Sequence, residues 1–147
     1  MFLTDEVKLI KVKDHSAAGT SEVDSAGVDM EQDGGYDGVI FFTSFGTAAA
    51  DNYANLQQSD DDGSSDGYSD LAGTKLTTGA SPSNEDIVLD ILRPQKRYVR
   101  CKAMPTTSST VESIWALLYR STKGLCVNSV SGTLLAGQFL APAEGTA

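Results

Sequence analysis

Residues 87–104 read IVLDILRPQKRYVRCKAM, two runs of alternating character joined by RPQK. In the first run Ile87, Leu89 and Ile91 recur at period two. In the second Val99, Cys101 and Ala103 do the same, leaving Tyr98, Arg100 and Lys102 for the opposite face. Successive side chains of a strand point to opposite sides, so this pattern predicts two strands with one buried face each.

Three further segments predict strands. Residues 39–45, VIFFTSF, place Val39, Phe41 and Phe45 on one side and Ile40 and Phe42 on the other. Apolar residues on both sides predict burial on both, within the sheet layers or at a subunit contact. Residues 52–58, NYANLQQ, set Ala54 and Leu56 against Tyr53, Asn55 and Gln57, as a half-solvated antiparallel strand requires. The turn-rich QDGGYDG (32–38) and FGTAAADN (45–52) flank VIFFTSF and predict a hairpin between these two strands. Residues 7–12, VKLIKV, alternate lysine with apolar residues, which suits an edge strand or an arm.

Residues 108–124, SSTVESIWALLYRSTKG, are open between two structures. Val111, Ile114, Trp115 and Leu118 recur at helical spacing, and Ser109 with Glu112 fits a capping box. As a strand, Ile114, Ala116 and Leu118 alternate with Trp115, Leu117 and Tyr119. The strands on either side of it favour a continuing sheet. Residues 77–86 are a loop by composition, and LAPAEGTA (140–147) is an extended tail. The chain shows no internal repeat.

Composition agrees with an all-β class. The 147 residues suit one domain, and 40% hydrophobic content supplies a core that excludes wholesale disorder. Gly, Ser, Thr, Ala and Asp dominate the connections, which predicts many short strands joined by turns. A net charge of -9 argues against duplex nucleic acid as partner, because phosphates need a basic face. The start, MFLTDEVKLIKVK, has neither the apolar core nor the small-residue cleavage site of a signal peptide. No run approaches the roughly 18 apolar residues that cross a bilayer. Synthesis and retention in a cytoplasm are therefore expected.

Candidate chemistry is sparse. Cys101 and Cys126 belong to no C-x-x-C arrangement, and His15 is the single histidine, so zinc lacks a ligand set. Reduced thiols are expected, at least one in the core. Residues 56–71, LQQSDDDGSSDGYSDL, gather carboxylates, and Asp60, Asp62 and Asp66 are the candidate calcium ligands. Counted from Asp60 as an EF-hand loop, the sixth position is Ser65 and the twelfth Leu71, where the motif needs glycine and glutamate. A solvated turn is the better reading. No G-x-S-x-G elbow, Walker pattern or GxGxxG occurs. A nucleophile would also lack an imidazole partner beyond His15. No enzyme activity and no cofactor are expected.

Arg93, Lys96, Arg97, Arg100 and Lys102 gather five cations within ten positions. In an acidic chain this predicts an electropositive strip for an acidic partner or a neighbouring copy, or else a solvated strand face. Val7 and Leu9 in an N-terminal arm, and Phe139 and Leu140 in the tail, are further candidates for partner contact by strand pairing.

Four motifs together resemble a family: Asp29 with Gly35, Tyr36 and Asp37; LQQSDDDG (56–63); KRYVR (96–100); and IWALLY (114–119). They are similar to small virion proteins of tailed bacteriophages, over about residues 25–120 and the tail. The pattern does not extend to residues 1–20 or 121–139. The resemblance implies an antiparallel β-sandwich, jelly-roll-like, with extended N- and C-terminal arms. The implied division is an arm or edge strand at 1–24, a sandwich at 25–138 and a tail at 139–147. It also implies a structural protein made in the host cytoplasm and bound to the capsid surface, with the major capsid protein as partner. A homotrimer acting as cement or decoration is the implied form. A neck or tail component is the alternative, and a calcium- or glycan-binding module is the alternative of another class.

Overall fold

The computed structural model describes residues 3–79 and 85–121. After one helical turn, α1 (Leu3–Glu6), come strands β1 (Lys8–Lys13), β2 (Ser16–Gly19), β3 (Val23–Asp24) and β4 (Val28–Asp29). A 3-10 turn at Gln32–Gly34 leads into the long β5 (Tyr36–Phe45). Then follow β6 (Tyr53–Ser59), the short β7 (Ser69–Asp70) and the short β8 (Leu76–Thr77). β9 (Asp86–Leu92), β10 (Tyr98–Met104) and β11 (Ser109–Ser121) complete the described chain. The expected tail, with Phe139 and Leu140, lies outside the described residues, as does Cys126.

The strands form two antiparallel sheets packed together, the β-sandwich that the resemblance implies. The first runs β1-β11-β5-β9, with β2 also on β11. The second runs β3-β10-β6-β7, with β4 also on β10 and β8 also on β6. Between them lie the inward-phase residues of each strand: Val39, Phe41 and Phe45, Ile87 and Leu89, Leu56, Val99 and Cys101, Ile114 and Leu118. Thr43 Oγ1 and Cys101 Sγ meet across this core at 3.3 Å. Cys101 is a buried free thiol whose pKa burial pushes up to about 11, so it stays protonated and inert.

β11 resolves the helix-or-strand question, and its irregularity explains why the question arose. The β11–β5 register shifts between Val111 and Ser113, a bulge that inserts one residue. Val111 and Ile114 therefore both face the core although they stand three apart, which imitates helical spacing. Ser109 does not cap a helix. Its hydroxyl donates to Thr106 O at 2.6 Å and accepts from Ala49 N at 2.8 Å.

Three expectations are corrected. β5 and β6 are no hairpin, because they sit in opposite sheets. β5 pairs with β11 and β9, whose aligned inward residues extend its apolar row, and residues 46–52 carry the chain across the end of the sandwich. Asn52 secures that crossing: fully buried, it donates from Nδ2 to Ala49 O at 2.9 Å and accepts from Thr106 N at 2.6 Å. β6 is not half-solvated, since Asn55 and Gln57 on its outer face are buried beneath polar partners described below. VIFFTSF is not buried on both sides within this chain: Val39, Phe41 and Phe45 are, whereas Phe42 is 37% exposed.

Candidate partner interface

Four of the five clustered cations, Arg100 and Lys102 on the outer face of β10 and Lys96 and Arg97 in the bend leading into it, meet carboxylates of their own chain. Arg97 grips Asp29 through two bonds of 2.9 and 2.7 Å and reaches Glu31 at 3.4 Å. That guanidinium holds the Asp29 carboxyl below its usual range. Arg100 pairs with Asp24 at 2.9 Å, donates to Gln57 Oε1 at 2.7 Å and lies over the Tyr68 ring, 4.1 Å from its centroid. Lys102 reaches Asp70 at 2.9 Å. Asp70 also accepts from Gln57 and Asn55 at 2.7 and 2.9 Å. Lys102 first, then these two amides, lower its pKa to about 2. The register explains the assembly: Arg100 stands opposite Gln57 and Gln57 opposite Asp70, so one row runs across three strands.

Lys96 ties this sheet to the acidic loop. Its ammonium contacts Asp66 at 2.5 Å and Asp60 at 3.2 Å. Asp61 turns inward on the loop, accepting Ser65 N at 2.8 Å and Asp66 N at 3.0 Å, and these bonds, that from Asp66 foremost, lower its pKa to about 2. Ser59 Oγ accepts from Asp61 N and Gly63 N at 3.3 and 2.9 Å. Asp62, at φ 61°, accepts the Tyr68 hydroxyl at 2.5 Å. A side chain at Gly27 would run into that hydroxyl and carboxylate, so the bare backbone there lets the loop close down. The candidate ligands Asp60, Asp62 and Asp66 thus all have in-chain partners. Among the described residues no group of three or more His, Cys, Asp or Glu side chains is set to hold a metal ion.

Arg93 is the exception in the basic cluster. Its backbone, at φ 54°, turns the chain out of β9 and donates to Asp37 O at 2.7 Å. Its exposed side chain makes no ion pair among the described residues. It borders a shallow cleft of about 390 Å³ lined by both signs of charge, Glu31 and Asp37 with Lys96 and Arg97.

The first sheet presents an opposite character. Its outward row Trp115–Phe42–Val88 crosses β11, β5 and β9 in register, and the next row runs Leu117–Ile40–Asp90. Val88 and Leu92 are 49% and 48% exposed. β1 extends both rows, with Lys11 opposite Trp115 and Leu9 opposite Leu117. The Lys11 ammonium lies 5.8 Å from the Trp115 ring centroid. Tyr119 leans across Gly38, where any side chain would collide with its ring, and donates to Asp90 at 2.7 Å. Burial and that bond push its phenol up to about 12. Of the expected arm contacts, Val7 and Leu9 are half-buried beside this edge. Sequence reasoning missed Val88 and Leu92 as surface-forming residues. The signal was present as apolar side chains in the outward phase of IVLDIL.

No protein-family model and no curated protein matches this sequence. The fold is similar to the crystal structure of the exported protein XepA of the phage PBSX, with a TM-score of 0.51 and 13% identity. The match covers 96% of this chain and 46% of XepA, so the chain spans about half that protein's length.

Proposed function

We propose that this chain is a structural part of a phage particle, a cement or decoration protein held on the outside of the capsid by the major capsid protein. The observation that carries this reading is the contrast between the two outer faces. The second sheet pairs its clustered cations within the chain, whereas the first leaves Phe42, Val88 and Leu92 exposed on the adjoining strands β5 and β9. A contiguous patch of that kind on a soluble domain marks an assembly surface. We take the role as adhesive rather than catalytic: Cys101 is sealed in the core, and His15, the single histidine, is held by Glu112 at 3.3 Å. The short motifs that resemble those of phage virion proteins, and the similarity of the fold to that of the PBSX exported protein XepA, support the particle context.

Heads prepared without the protein supply the test. Adding purified chain should raise their melting temperature and bind at hundreds of copies per particle. No binding and no gain in stability would end the decoration reading. A few or a dozen copies, located at the portal end, would favour the neck or tail component instead.

A further inference from the structure

We infer that the apolar outer face of the first sheet binds a second copy of this chain, face to face, about a two-fold axis parallel to the strands. This deepens the assembly reading above and rests on its use of that face. The charge distribution selects the partner and the axis. Lys11 stands at the β1 edge of the face, while Asp86 and Asp90 flank Val88 at the β9 edge. Turning a second copy about an axis along the strands lays its β1 edge over the first copy's β9 edge, so each Lys11 faces Asp86 and Asp90. An axis across the strands would set lysine on lysine and aspartate on aspartate. The same operation keeps the rows in step and lays Trp115 of one copy on Phe42 of the other at the centre, where aromatic anchors contribute most. Two sheets packed this way sit about 10 Å apart with strands nearly aligned, the geometry already inside the sandwich.

The size of the face suits a reversible pair. Four strands at about 4.8 Å spacing and seven paired residues at about 3.4 Å give a face of roughly 460 Å². That is about half of the ~800 Å² each partner contributes to a stable interface. A face this small belongs with weak, reversible contacts, with the flanking charges deciding orientation. Among the described residues Lys11 forms an ion pair with Asp14, which is 61% exposed; the Lys11 side chain is itself 19% exposed, so exchanging Asp14 for a partner's carboxylate requires only its ammonium end to turn outward.

Sedimentation velocity on the full chain from about 1 to 500 µM, the range in which weak, reversible pairs form, tests this. The wild type should convert from monomer to dimer. Phe42→Glu, at a partly exposed position that the fold tolerates, should weaken the dimer tenfold or more while leaving the thermal melt in place. Lys11→Glu should weaken it as well, and adding Asp86→Lys and Asp90→Lys to that variant should restore it. A monomer throughout, a trimer, or a dimer indifferent to Phe42→Glu would overturn the inference. Failure to restore the pair by charge reversal would overturn the axis. Head binding separates the two readings. A wild type that stays monomeric yet loses head attachment with Phe42→Glu sinks the second-copy inference and keeps the capsid role. A dimer that never binds heads does the reverse.

Discussion

Truncating Asn52 to alanine tests whether the crossing between the sheets is held by this one side chain. Asn52 is fully buried at the end of the sandwich, where residues 46–52 pass from β5 in one sheet to β6 in the other. Its amide ties two segments together through three bonds: Nδ2 donates to Ala49 O at 2.9 Å, and Oδ1 accepts from Thr106 N at 2.6 Å and Thr106 Oγ1 at 3.1 Å. Thr106 Oγ1 has a second acceptor in Ala50 O at 2.6 Å, so alanine orphans mainly the Thr106 N–H and the Ala49 carbonyl. Each buried group left without a partner costs about 1–3 kcal/mol. Two such groups, both only part-buried at the sandwich end so that relaxation and water recover some of the loss, give a cost of about 2 kcal/mol. For a chain of this size that lowers the midpoint by on the order of 10 °C. Urea titrations of both proteins read it directly, as a lower midpoint with an unchanged slope. Asn52→Asp keeps the acceptor but removes the donor and buries a charge, so it should be at least as damaging. An alanine variant within about 0.5 kcal/mol of wild type would refute the reasoning, because cost and burial are linked by the same bonds.

Acid should weaken the fold in a defined window. Asp61 and Asp70 have folded pKa values of about 2 against an unfolded 3.8, and Asp29 and Asp66 are also lowered. A depressed carboxylate stabilises the fold above the unfolded pKa and loses that contribution as pH falls through the folded one. The melting temperature should therefore hold above about pH 4 and fall toward pH 2. Added salt should blunt the effect, since these pairs face solvent. A flat profile from pH 5 to 2 would contradict the ion-pair assignment. Calcium at millimolar concentration, or EDTA, should leave the melting temperature unchanged, because Asp60, Asp62 and Asp66 already have partners. A calcium-dependent rise would revive the metal-binding module, as any ligand selective for the native state raises its stability.

Much of the strand framework was legible in the chain because burial follows alternation. IVLDIL, YVRCKAM and VIFFTSF each place their inward residues in the core where period two puts them. The KRYVR stretch likewise signalled its outward cations. Their targets were illegible, since Asp24, Asp29, Asp66 and Asp70 lie tens of positions away in sequence. Pairing depends on register between strands, and no local pattern encodes it. Strands β5 and β6 make the same point: turn-rich residues between two strands mark a reversal of direction but leave open whether the chain returns to the same sheet or crosses to the other.

The acidic loop shows where each level of information stops. Residues alone excluded an EF-hand, because Ser65 and Leu71 stand where glycine and glutamate are needed. Folding then decided what the aspartates do, by bringing Lys96 and Tyr68 to them. Local alternation, composition and missing motifs determined the class of the molecule, an all-β chain without a recognisable catalytic motif. The tertiary structure alone decided which apolar residues stay at the surface. A strand's outward phase becomes a docking face only when its neighbours align theirs beside it, as Trp115, Phe42 and Val88 do here. That alignment is a property of sheet order and register, set by which strands share a core and not by any one of them.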